Sequence, residues 1–219
     1  MTLPSASASS ASSASPASSA AAGTLAGTLT GGFALLERAM GYTLGSLQLV
    51  TPDLMGAPTP CAGWTLRALL GHMNDSLRTL HEGIASGHVD LVEAADPGAD
   101  YGDPATDPVG WLRNRACRMI GAWAAPGAST RISVGDARMP AGLVAATGAV
   151  EVSVHGWDVA RSCGASRPLP PAFAVELLPL VGLLVDDTDR PHRFAAAVEV
   201  RPTATASDQL LALLGRHPD

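Results

Sequence analysis

Apolar residues recur every three to four positions along four long stretches of this chain. This spacing places them on one face of an α-helix, so each stretch predicts an amphipathic helix that buries that face in a core. The four predicted helices span residues 31–50, 66–85, 108–125 and 141–163. Residues that interrupt helices follow three of them, namely Pro52, Pro126 and Gly164. The pattern therefore predicts a protein built mainly from four helices.

The start of the second predicted helix carries the clearest local signal. Thr65 precedes the first apolar position and is a favoured N-cap residue, because its hydroxyl can accept a hydrogen bond from a free N–H of the first turn. Trp64 before it and Leu69 after it have the spacing of a hydrophobic staple. We expect these residues to fix the direction in which the chain enters the helix.

Smaller elements are predicted between and after the four helices. They are an acidic loop over residues 86–107, a hairpin over 131–139, a helix over 170–185, a short strand over 194–201 and a last short helix over 209–214. Four long helices with these weaker additions favour a mostly all-α fold. The expected architecture is an antiparallel four-helix bundle with small C-terminal helix and strand additions.

The first 29 residues differ in composition from the rest of the chain. Residues 5–22 consist of Ser and Ala apart from one Pro, and such a tract buries too little apolar surface to fold. Because the first basic side chain is Arg38, the tract also lacks the positive start of a secretory signal. We therefore predict a disordered tail over residues 1–29 and one domain over residues 30–219.

Composition and charge narrow the classes of function. The net charge is −6, with 14 Arg, no Lys and no basic run, which argues against nucleic-acid binding. No apolar run reaches the roughly 18 residues that a membrane span needs. Three widely spaced cysteines are an odd number, which argues against a disulfide framework and for a cytoplasmic location. Neither nucleic acid nor a membrane is therefore an expected partner.

One stretch of the fourth predicted helix carries side chains that bind metals. Glu151 and His155 are four residues apart and point the same way from a helix, and Asp158 follows three residues later. The helix is apolar on nearly every side, so an unpaired carboxylate within it would be costly. A divalent cation removes that cost because it supplies positive charge. The alternative is an exposed ion pair of Glu151 with His155, worth roughly 0.2–0.5 kcal/mol.

His72 is the best candidate for a further ligand. A catalytic metal usually takes three protein ligands and leaves one position open, so the fourth helix does not complete a site by itself. His72 lies in the middle of the second predicted helix on a largely apolar face. The remaining histidines lie late in that helix, in loops or at the C-terminus: His81, His88, His192 and His217. The alternative for His72 is a core imidazole with an ordinary hydrogen-bond partner.

Four motifs of the chain resemble those of a known family. In order they are Thr59-Pro60-Cys61-x-Gly63-Trp64-Thr65, Leu69-Leu70-x-His72, Glu151-x-x-x-His155-Gly156-Trp157-Asp158 and Leu211-Ala212-Leu213-Leu214-Gly215-Arg216. Over about residues 30–217 they resemble the actinobacterial DinB-like metal-binding proteins, which are related to the N-terminal metal-binding domain of mycothiol-dependent maleylpyruvate isomerase. The paired helix motifs are fairly specific, and the C-terminal motif is typical of a subgroup.

The resemblance implies a DinB-like bundle with a divalent metal, usually zinc, held by His72, Glu151 and His155. Asp158 matches the motif without matching a family ligand, and we interpret it as a supporting residue that orients His155. Two imidazoles and one carboxylate also suit iron, nickel or manganese. The resemblance further implies mycothiol as the thiol cosubstrate and an electrophilic small molecule as the substrate.

The expected function is a metal- and mycothiol-dependent S-transferase-type enzyme, in which the metal stabilises a thiolate that attacks the electrophile. One alternative is a mycothiol-dependent cis–trans isomerase of the maleylpyruvate type. Another is a metal-binding protein without catalysis, and the last is a structural bundle whose Glu151–His155 pair is incidental. A homodimer is compatible with such a bundle.

Three other side chains are weaker candidates for a role in the site. Cys61 is interpreted as a small buried hydrophobe rather than a nucleophile, since no histidine is close to it in sequence. Arg67 and Arg161 are the cations nearest to the two motifs and could bind an anionic group, although exposed Arg is the norm on any surface.

Overall fold

Helices dominate the part of the chain that the structure describes. The computed structural model describes residues 16–89, 106–190 and 194–218, with side chains from residue 31 onward. Its α-helices are α1 (Pro16–Ser46), α2 (Leu66–Ser86), α3 (Pro108–Ala124), α4 (Ala141–Ser162), α5 (Pro171–Leu184) and α6 (Ala206–Leu213). Its strands are β1 (His88–Val89), β2 (Arg131–Val134) and β3 (Ala137–Pro140). None of these described helices is long and apolar enough to cross a lipid bilayer.

The helices α1 to α4 form the predicted bundle. α1 packs along α4, and α2 packs on both α3 and α4. The apolar stripe that predicted α2 is buried along its whole length: Leu66, Leu69, Leu70, Met73, Leu77 and Leu80. α5 packs on α4 and α6, so the C-terminal helices are additions to the bundle. The mostly all-α prediction is confirmed.

Local signals mark the ends of α2 and α4. Thr65 is extended, and its Oγ1 accepts a hydrogen bond from the N–H of Ala68 at 3.3 Å, so the predicted N-cap is confirmed. Gly164 follows the end of α4 with a φ of 73°, a left-handed conformation that glycine adopts without strain. The stretch from Glu151 to Asp158 therefore lies wholly within α4.

α1 and α4 approach so closely at Gly156 that no side chain fits between them. A Cβ atom there would lie 2.4 Å from Thr43 Oγ1 and 3.1 Å from Thr43 Cα. The Thr43 hydroxyl instead donates a hydrogen bond to the carbonyl oxygen of Val152 at 2.8 Å. The glycine inside the His155–Asp158 motif therefore serves packing, because it holds α4 in fixed register against α1.

The predicted hairpin is present within a three-stranded sheet. β2 and β3 pair antiparallel, and β1 pairs with β2 in parallel. Ile132 of β2 is fully buried, and its side chain lies against Gly83 of α2. β1 belongs to the stretch 86–107 that the sequence predicted as an acidic loop, and residues 90–105 of that stretch lie outside the described residues.

α1 begins well before the predicted start at residue 31. Its first residue is Pro16, which suits a first turn because that turn has no partner for a backbone N–H. Where we predicted disorder, residues 16–29 are helical, and the high helix propensity of alanine explains the difference. Residues 1–15 lie outside the described residues. The division into a tail over 1–29 and a domain over 30–219 falls inside α1 and stays a prediction.

The prediction of a short strand over residues 194–201 is wrong. Residues 195–200 have no regular structure, and the N–H of Val198 donates to the carbonyl oxygen of Ala212 at 2.9 Å. The segment therefore lies beside a helix rather than a strand, and no ladder forms. The helix in question, α6, begins earlier than predicted, after an N-cap at Thr205 that forms a capping box with Asp208.

The contact at Gly156 provides a test of this packing. Gly156→Ala forces a methyl group against Thr43, and overpacking of this kind costs about 1–3 kcal/mol. We therefore expect a lower free energy of unfolding in urea. Gly41→Ala is the control, because the exposed Gly41 of α1 has open space at its Cβ position and alanine favours a helix by about 1 kcal/mol. Wild-type stability of the Gly156→Ala protein would contradict the close approach.

Candidate metal centre

Side chains from α2 and α4 meet at one point of the bundle. Glu151 Oε1 lies 2.8 Å from Nε2 of His72 and 3.2 Å from Nε2 of His155. The two imidazole rings are 5.0 Å apart between centroids and nearly perpendicular. One ligand atom from each residue lies within 4.8 Å of those of the other two. The fold thus brings together the three residues that the sequence analysis named as ligands.

The spacing of these atoms suits a tetrahedral divalent ion. Zinc binds histidine nitrogen and carboxylate oxygen at about 2.0–2.2 Å, which sets neighbouring ligand atoms roughly 3.3 Å apart. The two separations at Glu151, 2.8 and 3.2 Å, are close to that value. Three protein ligands leave a four-coordinate ion one position for a small molecule. The donor set therefore fits a catalytic metal better than a closed structural one.

The site is open to solvent on one side. The side chains of His72 and Glu151 are 37% and 36% exposed, whereas that of His155 is 9% exposed. Trp64 lies edge-on to His72 with 4.9 Å between the ring centroids, and it is itself partly exposed. A small molecule therefore reaches the cluster from solvent beside an aromatic wall.

A narrow pocket continues from the site into the core. Its lining comprises Glu151, His155 and Ser76 at the site and core residues beyond it: Met40, Thr43, Leu47, Met73, Leu77, Leu112 and Val152. The free volume of about 10 Å³ is close to what a single water molecule needs. None of the described residues that line the pocket is an arginine, so an anionic group would find no guanidinium there.

The charges around Glu151 favour a cation at the cluster. Burial alone would raise the pKa of Glu151, but its hydrogen bonds with His155 and His72 outweigh burial and hold that pKa well below its usual range. Burial alone would lower the pKa of His155, but its hydrogen bonds with Asp158, Cys61 and Glu151 raise it. Both shifts have the same cause: a negative charge on Glu151 and a positive charge on the neighbouring imidazole stabilise each other.

Asp158 holds His155 from the buried side. Its Oδ2 lies 2.9 Å from Nδ1 of His155, and its side chain is completely buried. Because Nδ1 donates to Asp158, Nε2 is the nitrogen that faces Glu151, and its lone pair would bind a metal ion in place of the proton it shares with Glu151. A carboxylate that accepts from the second nitrogen of a metal-binding histidine fixes both its tautomer and its orientation. The contact is compatible with the supporting role we predicted for Asp158, and that role stays a prediction.

Two further side chains bind Asp158. Arg216, from the segment after α6, donates from Nη2 to Oδ2 at 2.8 Å and from Nε to Oδ1 at 3.3 Å. Cys61, from the loop before α2, donates from Sγ to Oδ2 at 3.3 Å and lies 3.9 Å from Nδ1 of His155. Cys61 has no histidine close to it in sequence, because 94 positions separate it from His155. The sequence marked Arg216 only as the last residue of the C-terminal motif and indicated no role for its side chain in the site.

A second group of ligand-type atoms, from Cys61, His155 and Asp158, also lies within 4.8 Å. The guanidinium of Arg216 already supplies the positive charge there, because its Nη2 lies 2.8 Å from Asp158 Oδ2 and 3.4 Å from Cys61 Sγ. A divalent ion at the same place would meet that charge at short range. The group with His72 is therefore the better place for a metal.

The other two arginine candidates lie outside the pocket lining. Arg67 is exposed on the first turn of α2, and the guanidinium of Arg161 lies 5.6 Å from the ring centroid of Trp157. Neither side chain contributes to the pocket. The structure therefore gives no reason to assign an anionic ligand to either of them.

The buried pair of Asp158 and Arg216 gives a test of the electrostatics. Asp158→Ala leaves the guanidinium 11% exposed and without its carboxylate, and breaking a buried pair in this way costs about 3–5 kcal/mol. Urea unfolding should show a loss of that size. Glu176→Ala is the control, because it removes one partner of the exposed Arg38–Glu176 pair, for which about 0–1 kcal/mol is usual. Equal losses in the two variants would contradict the compensation of charge at Asp158.

Known proteins share the sequence pattern and the fold. The sequence model of the protein family described as the mycothiol maleylpyruvate isomerase N-terminal domain matches residues 36–160. Two uncharacterised proteins of Mycobacterium tuberculosis, from strains CDC 1551 / Oshkosh and H37Rv, are each 29% identical over 188 residues. These alignments cover 82% of this chain and 94% of each relative.

A crystal structure of the mycothiol-dependent maleylpyruvate isomerase is similar to this chain. The TM-score is 0.50 at 18% sequence identity, and the match covers 70% of this chain and 69% of that one. At this identity the likeness shows the fold alone, and it confirms the predicted DinB-like bundle. The family match over residues 36–160 includes His72, Glu151 and His155 and covers more than half of the chain. The chain therefore belongs to the family of the mycothiol maleylpyruvate isomerase N-terminal domain.

Proposed function

We propose that this chain is a divalent-metal-dependent enzyme that uses mycothiol to isomerise an unsaturated, electrophilic small molecule. The observation that carries the proposal is the convergence of Nε2 of His72, Nε2 of His155 and a carboxylate oxygen of Glu151 at a partly exposed point. Zinc is the metal we propose first, since this donor set and spacing suit it. A bound zinc ion lowers the pKa of a thiol and so supplies thiolate at neutral pH.

The residues around the proposed metal have separate tasks. Glu151 supplies the negative charge of the ligand set and takes no part in proton transfer. Asp158 keeps the proton of His155 on Nδ1, so that Nε2 is free to bind. Trp64 borders the exposed side of His72, where a thiol and its substrate would enter. The pocket on the other side has room for about one water molecule and so leaves the substrate on the solvent side.

Family membership favours isomerisation over the S-transfer that the sequence analysis placed first. The family is defined on a maleylpyruvate isomerase that depends on mycothiol. In such a reaction, addition of a thiolate to one carbon of a double bond leaves a single bond that can rotate. Departure of the same thiolate then restores the double bond with the opposite geometry, and no thiol is consumed. S-transfer differs in that the thiol stays on the product.

Metal analysis of the purified chain tests the ligand set. Wild type should hold about one equivalent of divalent metal after dialysis, since three protein ligands are available. His72→Ala and Glu151→Gln should each lose most of it, because one removes a nitrogen ligand and the other the anionic ligand. His81→Ala, on the same helix but outside the cluster, is the control and should retain the metal. Wild-type metal content in His72→Ala would refute the assignment.

The fate of the thiol tests the type of reaction. With metal-loaded protein, mycothiol and a cis-configured electrophile of the maleylpyruvate type, we expect the trans isomer to form while the thiol concentration stays constant. Loss of one thiol per product would instead indicate the S-transferase. No rate above the protein-free background, with metal bound, would favour the non-catalytic metal-binding protein for this class of substrate.

A further inference from the structure

Arg216 lies beyond residue 160, where the family match ends, yet its side chain enters the candidate site. The end of α6 explains how. The N–H of Gly215 donates to the carbonyl oxygen of Ala212 at 3.0 Å, and that of Arg216 donates to the carbonyl oxygen of Leu211 at 2.9 Å. These two bonds form a Schellman motif, which fixes the chain just after a helix.

Glycine is required at position 215 for this turn. Its φ is 76°, and a Cβ atom there would lie 2.7 Å from the Cβ of Ala195. The Nη1 of Arg216 also donates to the carbonyl oxygen of Leu214 at 2.9 Å. Both the backbone and the guanidinium of Arg216 are therefore held by the helix end before the side chain meets α4.

The fork of Arg216 fixes the plane of the Asp158 carboxylate. Nε binds Oδ1, Nη2 binds Oδ2, and a two-point contact of this kind leaves the carboxylate little freedom to rotate. Oδ2 is also the atom that lies 2.9 Å from His155 Nδ1. The position of the histidine ring, and hence of its Nε2, therefore depends on a guanidinium whose hydrogen bonds go to Asp158, Leu214 and Cys61 and to none of the three proposed ligands.

We propose that Arg216 is a positioning residue of the metal centre, through which the C-terminal segment completes a site built on α2 and α4. Arg216 acts through Asp158 on His155 and touches neither the metal nor the substrate. This inference rests on the proposed function, since it concerns the same ligand set. It predicts that metal affinity depends on a residue beyond the segment 36–160 that the family model matches.

A matched control separates positioning from simple anchoring of the C-terminus. Arg190 also holds this region, because it donates to the carbonyl oxygens of Leu213 and Ala195. Its contacts do not include Asp158 or any of the three proposed ligands. Arg190→Gln therefore weakens the attachment of α6 without removing a group from the site.

The experiment measures the zinc dissociation constant of the full-length protein by competition with a chromophoric chelator, after circular dichroism has shown that each variant is folded. Loss of an outer partner of a metal-binding histidine typically weakens binding about 10–100-fold, and we expect this for Arg216→Gln. Arg216→Lys keeps the charge but not the fork, so it should fall between Arg216→Gln and wild type. Arg190→Gln should lower the melting temperature and keep the wild-type dissociation constant.

A dissociation constant of Arg216→Gln within twofold of wild type would overturn the inference. So would equal weakening in Arg190→Gln, because anchoring alone would then explain the effect. If Arg216→Gln does not fold, the same measurement is made on Arg216→Lys and on Gly215→Ala, which moves Arg216 without changing its chemistry. Zinc dissociation constants within twofold of wild type in both variants would then overturn the inference. A wild-type protein that binds no zinc would overturn the proposed function itself, which distinguishes that failure from wild-type affinity in the Arg216 variants.

Discussion

The completely buried carboxylate of Asp158 is the constraint on which the site depends. An ionised group without solvent is stable only when hydrogen bonds and opposite charge replace its hydration. Here the replacement comes from three separate parts of the chain, through His155, Arg216 and Cys61. Because each donor must reach the same carboxylate, the helix α4, the C-terminal segment and the loop before α2 are held in one arrangement.

The packing of α4 sets the rest of the geometry. Gly156 lets α1 approach on one side, and Gly148 accommodates Leu80 of α2, whose Cδ1 would lie 2.8 Å from a Cβ at that position. Close contact of α2 with α4 brings His72 to Glu151. Glu151 therefore stands where a buried helix reaches solvent, with histidines on two sides and one side open. A cation is the partner that such a carboxylate favours, and an open side is what a small molecule needs.

The sequence could predict those features of the fold and the site that depend on interactions between residues close together in the chain. The periodicity of apolar residues predicted the four bundle helices, and Thr65 predicted the start of α2. The spacing of four residues predicted that Glu151 and His155 lie on one face of α4. His72 followed from the need for a third ligand on an apolar helix face. The start of α1 was missed because alanine propensity outweighed low hydrophobicity, and a strand was predicted over residues 194–201 although none of the described strands pairs with that segment.

The contacts that sequence could not predict join distant residues. Arg216 and Asp158 are 58 positions apart, and Cys61 and His155 are 94 apart. Whether they meet depends on how α6 docks and on the left-handed turn at Gly215, neither of which periodicity records. The local sign of the contact between Arg216 and Asp158 was a glycine and an arginine after a short apolar helix. That sign has a meaning only together with the burial of Asp158, which the fold determines.

Anomalous diffraction at the zinc absorption edge, from crystals of the zinc-loaded full-length protein, shows directly whether His72, Glu151 and His155 hold the metal. We expect one strong peak within about 2.0–2.2 Å of Nε2 of His72, Nε2 of His155 and a carboxylate oxygen of Glu151. A map without a peak at that position, or with the peak between Cys61 and Asp158 instead, would contradict it.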